Sequence, residues 1–457
     1  MKQLMFEREI QVLGDTFRRL MRRHAHTNLV KLINKTHPAD MSVLFRYFDE
    51  SEQEQLFDLM QPNDHTGEFL TELDESILQN LVAEVSADRI AKLIDPISAS
   101  DRAEILSLLP DEQSRGIIDL LKKEEVEELE EILAYPEDSA GSLMHTDVFT
   151  LHEETTARAA IAALQHEEQA ETVFYLYVTN DVNQLMGVIS LRDLVTTSPD
   201  SLLKDLMVRK VHTVRPDTDQ EEVAQVVSQY NYLAVPVTDP DENLLGIVMV
   251  DDVVDVIREE ATEDFLKMAG VGKDREILLK SSWENAKSRL PWLFASWIGG
   301  IGAATIIGLY ENILETTLVL AAFIPVIIGM GGNIGTQTST IIVRGLATGR
   351  VNVGNNMKIL LKEIRVGLIL GLFYGILLGL FTLTRFTDLS PNLGIIVGLS
   401  ITTSMLIATT IGAFVPLFLF KLEIDPAVAT GPFVTTSIDI LGVTLYFLIA
   451  SLFLPLA

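Results

Sequence analysis

The stretch "PFVTTSIDILGVTLYF", residues 432–447, is apolar enough for lipid, yet it holds a carboxylate, Asp439. A charge at the centre of a spanning helix costs about 2.5–3.5 kcal/mol on insertion scales. A chain that keeps one there is using it. Reading outward, apolar runs cover 291–310, 318–343, 366–384, 393–420 and 432–457. Each is long enough for a hydrocarbon core of about 30 Å. Asp439 is the only Asp, Glu, Lys or Arg inside them. With no intramembrane base to pair with, it either lines a water-filled path or is protonated and hydrogen-bonded between helices. The missing partner favours the path.

The second run, "IPVIIGMGGNIGTQTSTIIV", sets Pro325 and Gly329, Gly331, Gly332 and Gly335 around Asn333 and Gln337. Glycines at membrane depth serve helix packing, or they open the backbone where it borders an aqueous cavity. Carbonyl oxygens and an amide then become ligands for a hard cation or its water shell. The third run has Gly367, Gly371, Gly375 and Gly379 at every fourth position, a smooth stripe for close helix contact.

Charge divides the chain. The formal net charge is −29, but residues 283–457 carry nine Lys/Arg against eight Asp/Glu, leaving a net of −30 on 1–282. So acidic a front half argues against nucleic acid as a partner, which needs Lys/Arg to displace counterions, and suits cations. Cysteine is absent, excluding disulfides, thiolate chemistry and zinc–thiolate sites. The charged opening ("MFEREI", "RRLMRRH") is not a cleaved signal, so the front half is expected in the cytoplasm. Five spans then place the C-terminus outside. Arg344, Arg350, Lys358, Lys362 and Arg365 around the second-to-third connection agree, and "YENILE" in the first has no base. Trp283, Trp292 and Trp297 with Lys287 and Arg289 suit an interfacial helix entering the bilayer.

Residues 1–30 read as an amphipathic, basic lead-in helix. Short helices punctuated by Pro96 and Pro110 follow over 31–135, an all-α superhelical array. "KKEEVEELEEI" within it reads as a solvated helix face. From 136 to 258 strands and helices alternate, and the pattern occurs twice. "LMHTDVFTLHEETTARAAIAAL" from Leu143 aligns with "LMVRKVHTVRPDTDQEEVAQVV" from Leu206, and "GVISLRDLV" from Gly187 with "GIVMVDDVV" from Gly246. Between this module and the membrane, 259–290 connects. In "VDDVVDVIREEATEDF" Asp252, Asp255, Glu259 and Glu263 share one helical face, with Val253, Val256 and Ile257 roughly opposite. Such a row, with Asp217, Asp219, Glu221 and Glu222 nearby in sequence, is either ordinary solvated charge or a place for a divalent cation.

The duplicated α/β segment resembles a tandem pair of CBS domains. In that family Ser/Thr-x-x-Asp after the last strand often holds a nucleotide ribose. Ser190 and Asp193 supply it in the first copy, whereas Met249 precedes Asp252 in the second, so at most one nucleotide site is intact. A CBS fold without ligand fits equally well.

Over almost its whole length the chain resembles the MgtE family of magnesium channels. "YPEDSAGSLM", "DTDQEEV", "VDDVVDVIREEATEDF", "RLPWL", "GMGGNIGTQ" and "ATGPFVTTSIDILG" occur in that family's order. The resemblance implies a helical N domain, a CBS pair, a connecting "plug" helix and a five-span pore domain over 291–457. It also implies a homodimer in the cell (inner) membrane. It places Asp439 at the pore's ion site, with Asn333 and nearby backbone selecting the ion. It implies regulatory Mg²⁺ at Asp219, Glu221, Asp252, Asp255, Glu263 and Asp264, and ATP, if bound, at Tyr175, Arg192, Asp193 and Tyr232. Asn231 departs from the family, where an acid can stand. The function expected is a Mg²⁺-selective channel closed by cytoplasmic Mg²⁺. A secondary exchanger of Mg²⁺ or Co²⁺ for Na⁺ or H⁺, and a non-conducting Mg²⁺ or nucleotide sensor, are the alternatives. No Walker-type motif suggests an ATPase, and no enzyme activity is expected.

Overall fold

A computed structural model describes residues 2–60, 64–83, 85–166, 175–271, 281–351, 356–386, 392–422, 424–429 and 431–454. The chain forms two compact units, Met1–Ile257 and Arg258–Ala457.

In the first unit, short helices from Lys2–Arg22 to Lys123–Leu133 wind around a continuous apolar core that includes Phe17, Phe45, Phe57, Phe69, Ile90 and Ile117. Most span eight residues or so, and several are started by side-chain caps. At Asp49 the carboxylate accepts from Glu52 N (2.9 Å) while Glu52 Oε2 accepts from Asp49 N (3.2 Å), a reciprocal box worth about 1 kcal/mol. The first helix buries Ile10, Phe17 and Met21 in the same core, and Arg18 ties it to Glu52 at 3.0 Å.

The duplicated segment folds as two matching halves. In the first, β1 (Thr150–His152) runs parallel to β2 (Tyr175–Thr179), which pairs antiparallel with β3 (Leu185–Ser190). In the second, β4 (Ala234–Thr238) pairs antiparallel with β5 (Leu244–Met249). The repeat extends to register. Tyr175 faces Ser190 as Ala234 faces Met249, and each hairpin slips at the same place, after Val178 and after Val237. The two repeated glycines have one cause. A Cβ on Gly187 would stand 2.8 Å from Val208 O, and one on Gly246 would stand 2.6 Å from His145 O. Each lets a strand-like segment lie directly on the hairpin, and no larger residue fits.

A single helix, Val250–Met268, leaves the second half. Val253 and Val256 are buried as their spacing predicts, but Ile257 is 47% exposed, since the second half's core ends at Val256.

In the second unit five helices are long and apolar enough to span: Ser282–Leu309, Leu318–Ala347, Asn356–Arg385, Asn392–Lys421 and Pro432–Phe453. Two differ from the apolar runs. The first starts at Ser282 and runs through Pro291 without interruption. The third starts at Asn356, so Lys358, Lys362 and Arg365 lie on its first turns rather than in a connection. The glycine-rich second span stays helical over Ile324–Ala347, and its irregular part is the 3-10 turn Leu318–Phe323 before it. Backbone pairing is therefore kept at the glycines.

The glycine stripe of the third span packs against the fourth. A Cβ on Gly371 would meet Thr402 O at 2.8 Å, on Gly375 Gly398 O at 2.5 Å, and on Gly379 Gly394 O at 2.9 Å. Thr402 Oγ1 donates to Gly371 O at 2.9 Å across the contact. Without a hydrophobic driving force in lipid, such close backbone approach is what holds spans together.

Candidate functional site

The fifth span carries Asp439 half-buried at membrane depth, with no hydrogen-bond or ion-pair partner among the described residues. Across from it lies the second span. A Cβ on Gly332 would stand 3.9 Å from Asp439 Oδ1, so glycine leaves the carboxylate open on that side.

The glycines of the second span divide by role. A Cβ on Gly331 would approach Ser404 Oγ at 2.9 Å, and one on Gly335 would collide with the Ile438 side chain. Those two serve packing against the fourth and fifth spans. Gly329 has open space, and Gly332 faces the acid. Asn333, Thr336, Gln337 and Thr340, at i, i+3, i+4 and i+7, are all exposed, so one face of this spanning helix is polar. Such a face in lipid is costly unless it meets water or another protein surface.

In the first unit the acids are held individually. Asp219 caps the helix Gln220–Tyr230, its Oδ1 accepting from Glu221 N at 2.8 Å. Glu221 sits in that helix's first turn. Asp252 Oδ2 accepts from Met249 N at 3.2 Å and lies 2.9 Å from His145 Nε2. Burial lowers the His145 pKa, but the Asp252 hydrogen bond and charge, with Asp101, outweigh it and leave it raised. Asp101 is itself raised, chiefly by burial. Asp255 is exposed. In the second unit Glu263 is buried, 2.5 Å from Lys267, and Asp264 is pushed up to about 6 by burial and then by Asp425. Among the described residues no three His, Asp or Glu side chains are arranged as a ready metal cage.

The residues expected at a nucleotide gather in part. Strand register sets Tyr175 opposite Ser190, whose Oγ donates to Asp193 Oδ2 at 2.7 Å. Arg192 and Asp193 open the exposed helix Leu191–Thr196. Tyr232 is held with its pKa raised by burial and by Tyr230 and Tyr175, and it stacks on Tyr230 at 5.4 Å. In the second half the matching carboxylate, Asp252, is engaged by His145, so that position does not fit a ribose. Asn231 adopts φ +54°, ending its helix in the left-handed region that asparagine tolerates well.

Sequence reasoning missed His145, Lys267 and Asp425. Lys267, at i+4 from Glu263, was within reach of the helical-spacing rule; the other two join their partners only through tertiary packing.

Residues 324–449 match the family described as a divalent cation transporter, residues 36–138 the MgtE intracellular N domain, and 140–200 and 203–259 the CBS domain. A multi-pass membrane transporter of divalent cations, with a large helical and CBS-bearing region ahead of its spans, is the class these define. The magnesium transporter MgtE of Enterococcus faecalis is 34% identical over 420 residues, 92% of each chain. That of Bacillus subtilis is 32% identical over 93% of each, and that of Thermus thermophilus 36% over 74% of each. The chain belongs to the MgtE family of magnesium transporters. Among solved structures, the soluble part of a magnesium transporter matches at 30% identity and TM-score 0.51, covering 55% of this chain and 99% of that one. The cytosolic domain of the Mg²⁺ channel MgtE in complex with ATP matches at 29% and TM-score 0.51, covering 53% and 99%.

Proposed function

We propose that the chain is a Mg²⁺ uptake channel in which two copies face each other across the polar side of the second span, each presenting Asp439 to a hydrated ion. The observation that carries this is Asp439 itself, a half-buried carboxylate with no partner among the described residues, opened on one side by Gly332. Mg²⁺ sheds water reluctantly and is bound with several waters kept, so a wide site with few direct ligands suits it. Unit charges 4 Å apart attract by about 4 kcal/mol at an effective dielectric of 20, and a divalent ion doubles that for each carboxylate. Asn333, exposed one residue beyond Gly332, helps select the ion through its amide and that water shell.

Residues 1–30 lead into a helical N domain (31–135), a CBS pair (136–258), connecting helices (259–290) and the pore domain (291–457). The part before the spans is cytoplasmic and the C-terminus is outside. Regulatory Mg²⁺ binds at the acids Asp219, Glu221, Asp252, Asp255, Glu263 and Asp264, and the helix Val250–Met268 passes the state of the cytosolic part to the pore. High internal Mg²⁺ closes the channel; low Mg²⁺ lets the acids repel and the pore open. ATP binds the first CBS half at Tyr175, Arg192, Asp193 and Tyr232.

Recordings in a reconstituted bilayer test the reading. Unitary Mg²⁺ current steps that disappear in Asp439→Ala, with that variant still folded and dimeric, are expected. Coupled flux without unitary steps would make it an exchanger, and no flux at all a sensor. Parent-like current in Asp439→Ala would remove this residue from the path.

A further inference from the structure

Arg385 closes the third span, at the end of the bundle opposite the Lys/Arg-rich connection. By span order residues 310–317, 386–391 and those after 453 belong to the same end, and none of them is Lys or Arg. An anion drawn to the bundle there is therefore drawn to Arg385. Its side chain is exposed, stands 5.6 Å from the centre of the Phe386 ring, and has no acid partner among the described residues. Phe381, Leu378, Leu377 and Tyr374, at i−4, i−7, i−8 and i−11, share its face of the helix. These four line a groove of about 260 Å³ together with Val326 and Met330 of the second span and Ile401 of the fourth. Ile401 is buried beneath it, whereas Tyr374, Leu377, Phe381 and Val326 are exposed along its rim. The groove starts about 6 Å from Arg385 along the helix axis and ends about 16 Å from it.

We propose that this groove and Arg385 together bind one anionic phospholipid, its phosphate on the guanidinium and an acyl chain along the groove. A hollow left empty at membrane depth forfeits dispersion contacts on every atom that lines it. Water is a poor filler, because it needs two to four polar partners and the Tyr374 hydroxyl is the one polar side-chain group in the lining. A flexible acyl chain fits an apolar trough of this kind. The guanidinium adds what a tail alone does not need: paired hydrogen bonds to phosphate oxygens from a weakly hydrated cation. A molecule carrying an anion at the bilayer surface and an apolar chain inward of it satisfies both parts at once. A zwitterionic lipid also fills the groove, but it brings its own cation beside the phosphate, so Arg385 favours the anionic one. Val326 and Met330 belong to the span that holds Gly332 and Asn333, so the bound lipid packs against that helix. The site itself does not rest on the channel reading.

The test uses the full chain in phosphatidylcholine vesicles doped with a lipid that carries a photoreactive diazirine in its acyl chain. The doped lipid is phosphatidylglycerol in one sample and phosphatidylcholine in the other, and peptide mass spectrometry locates the label. Ile369, Ile376 and Leu380, exposed on the opposite face of the third span, report contact with bulk lipid and should label equally from both. The groove residues of 326–330 and 374–381 should label about fivefold more from phosphatidylglycerol, the worth of one cation beside an anionic headgroup. Arg385→Gln should remove that excess and Arg385→Lys should keep part of it. Leu377→Trp, on the rim, should fill the groove and lower its labelling from both lipids while the opposite face is unchanged. Equal labelling of the parent's groove by the two lipids overturns the proposal, because the groove then holds bulk lipid only. An excess that survives Arg385→Gln also overturns it. A groove labelled by neither lipid overturns it as well, and would leave a second copy of the chain as what covers that face. Conduction does not enter the readout, so failure of the lipid site and failure of the channel reading are separately visible.

Discussion

Gly332→Ala should separate stability from transport. In a helix interior alanine is more favourable than glycine by about 0.8–1.0 kcal/mol. The added Cβ has Asp439 Oδ1, at 3.9 Å, as its only neighbour within 4 Å, so the fold accepts it. A water donating to that oxygen sits at about 2.8 Å, a position overlapped by a methyl group standing at this distance on the same side. Losing one hydrogen bond to a charged group is worth about 1.5–3 kcal/mol. That is roughly a 10- to 150-fold loss in transport. Thermal melts should show a midpoint unchanged or raised, while dye-reported Mg²⁺ flux into vesicles falls by that factor. Gly300→Ala, with nothing within 4 Å, is the control and should change neither greatly. Parent-like flux in Gly332→Ala would show that the space beside Asp439 is not on the path. A large drop in melting midpoint would show that the space was misjudged.

Asn333→Leu should reduce Mg²⁺ flux or selectivity more than Gly375→Ala, checked with competing Co²⁺. Gly375→Ala should instead lower the melting midpoint, because its Cβ meets Gly398 O at 2.5 Å and overpacking costs about 1–3 kcal/mol. Neutralising Asp252 and Asp255 to Asn should give a channel that stays open at millimolar internal Mg²⁺ in patch recordings, since a ligand shifts an equilibrium only through its differential affinity. Asp193→Ala should abolish ATP binding by the full chain in equilibrium dialysis, while Asp252→Ala leaves it intact; equal loss in both would move the nucleotide to the second half.

The spans, the duplicated α/β halves, the helical array and the acid within the last apolar run were all legible in the sequence, because each rests on periodicity or composition within one segment. The repeat could even be aligned at Gly187 and Gly246, although only packing gives the reason, a crossing backbone at 2.8 and 2.6 Å. Tertiary structure decided what depends on neighbours from elsewhere in the chain. It divided the second-span glycines into those that pack, Gly331 and Gly335, and the one that faces Asp439, which share a helix and a spacing rule but not a neighbour. It set Asp252 beside His145. It also brought Asp425 to the ammonium of Lys267, which Glu263 already holds from one turn back on the same helix. A helical wheel lists the charges on one face, Lys267 among them; the second acid that shares its ammonium arrives from 158 residues away.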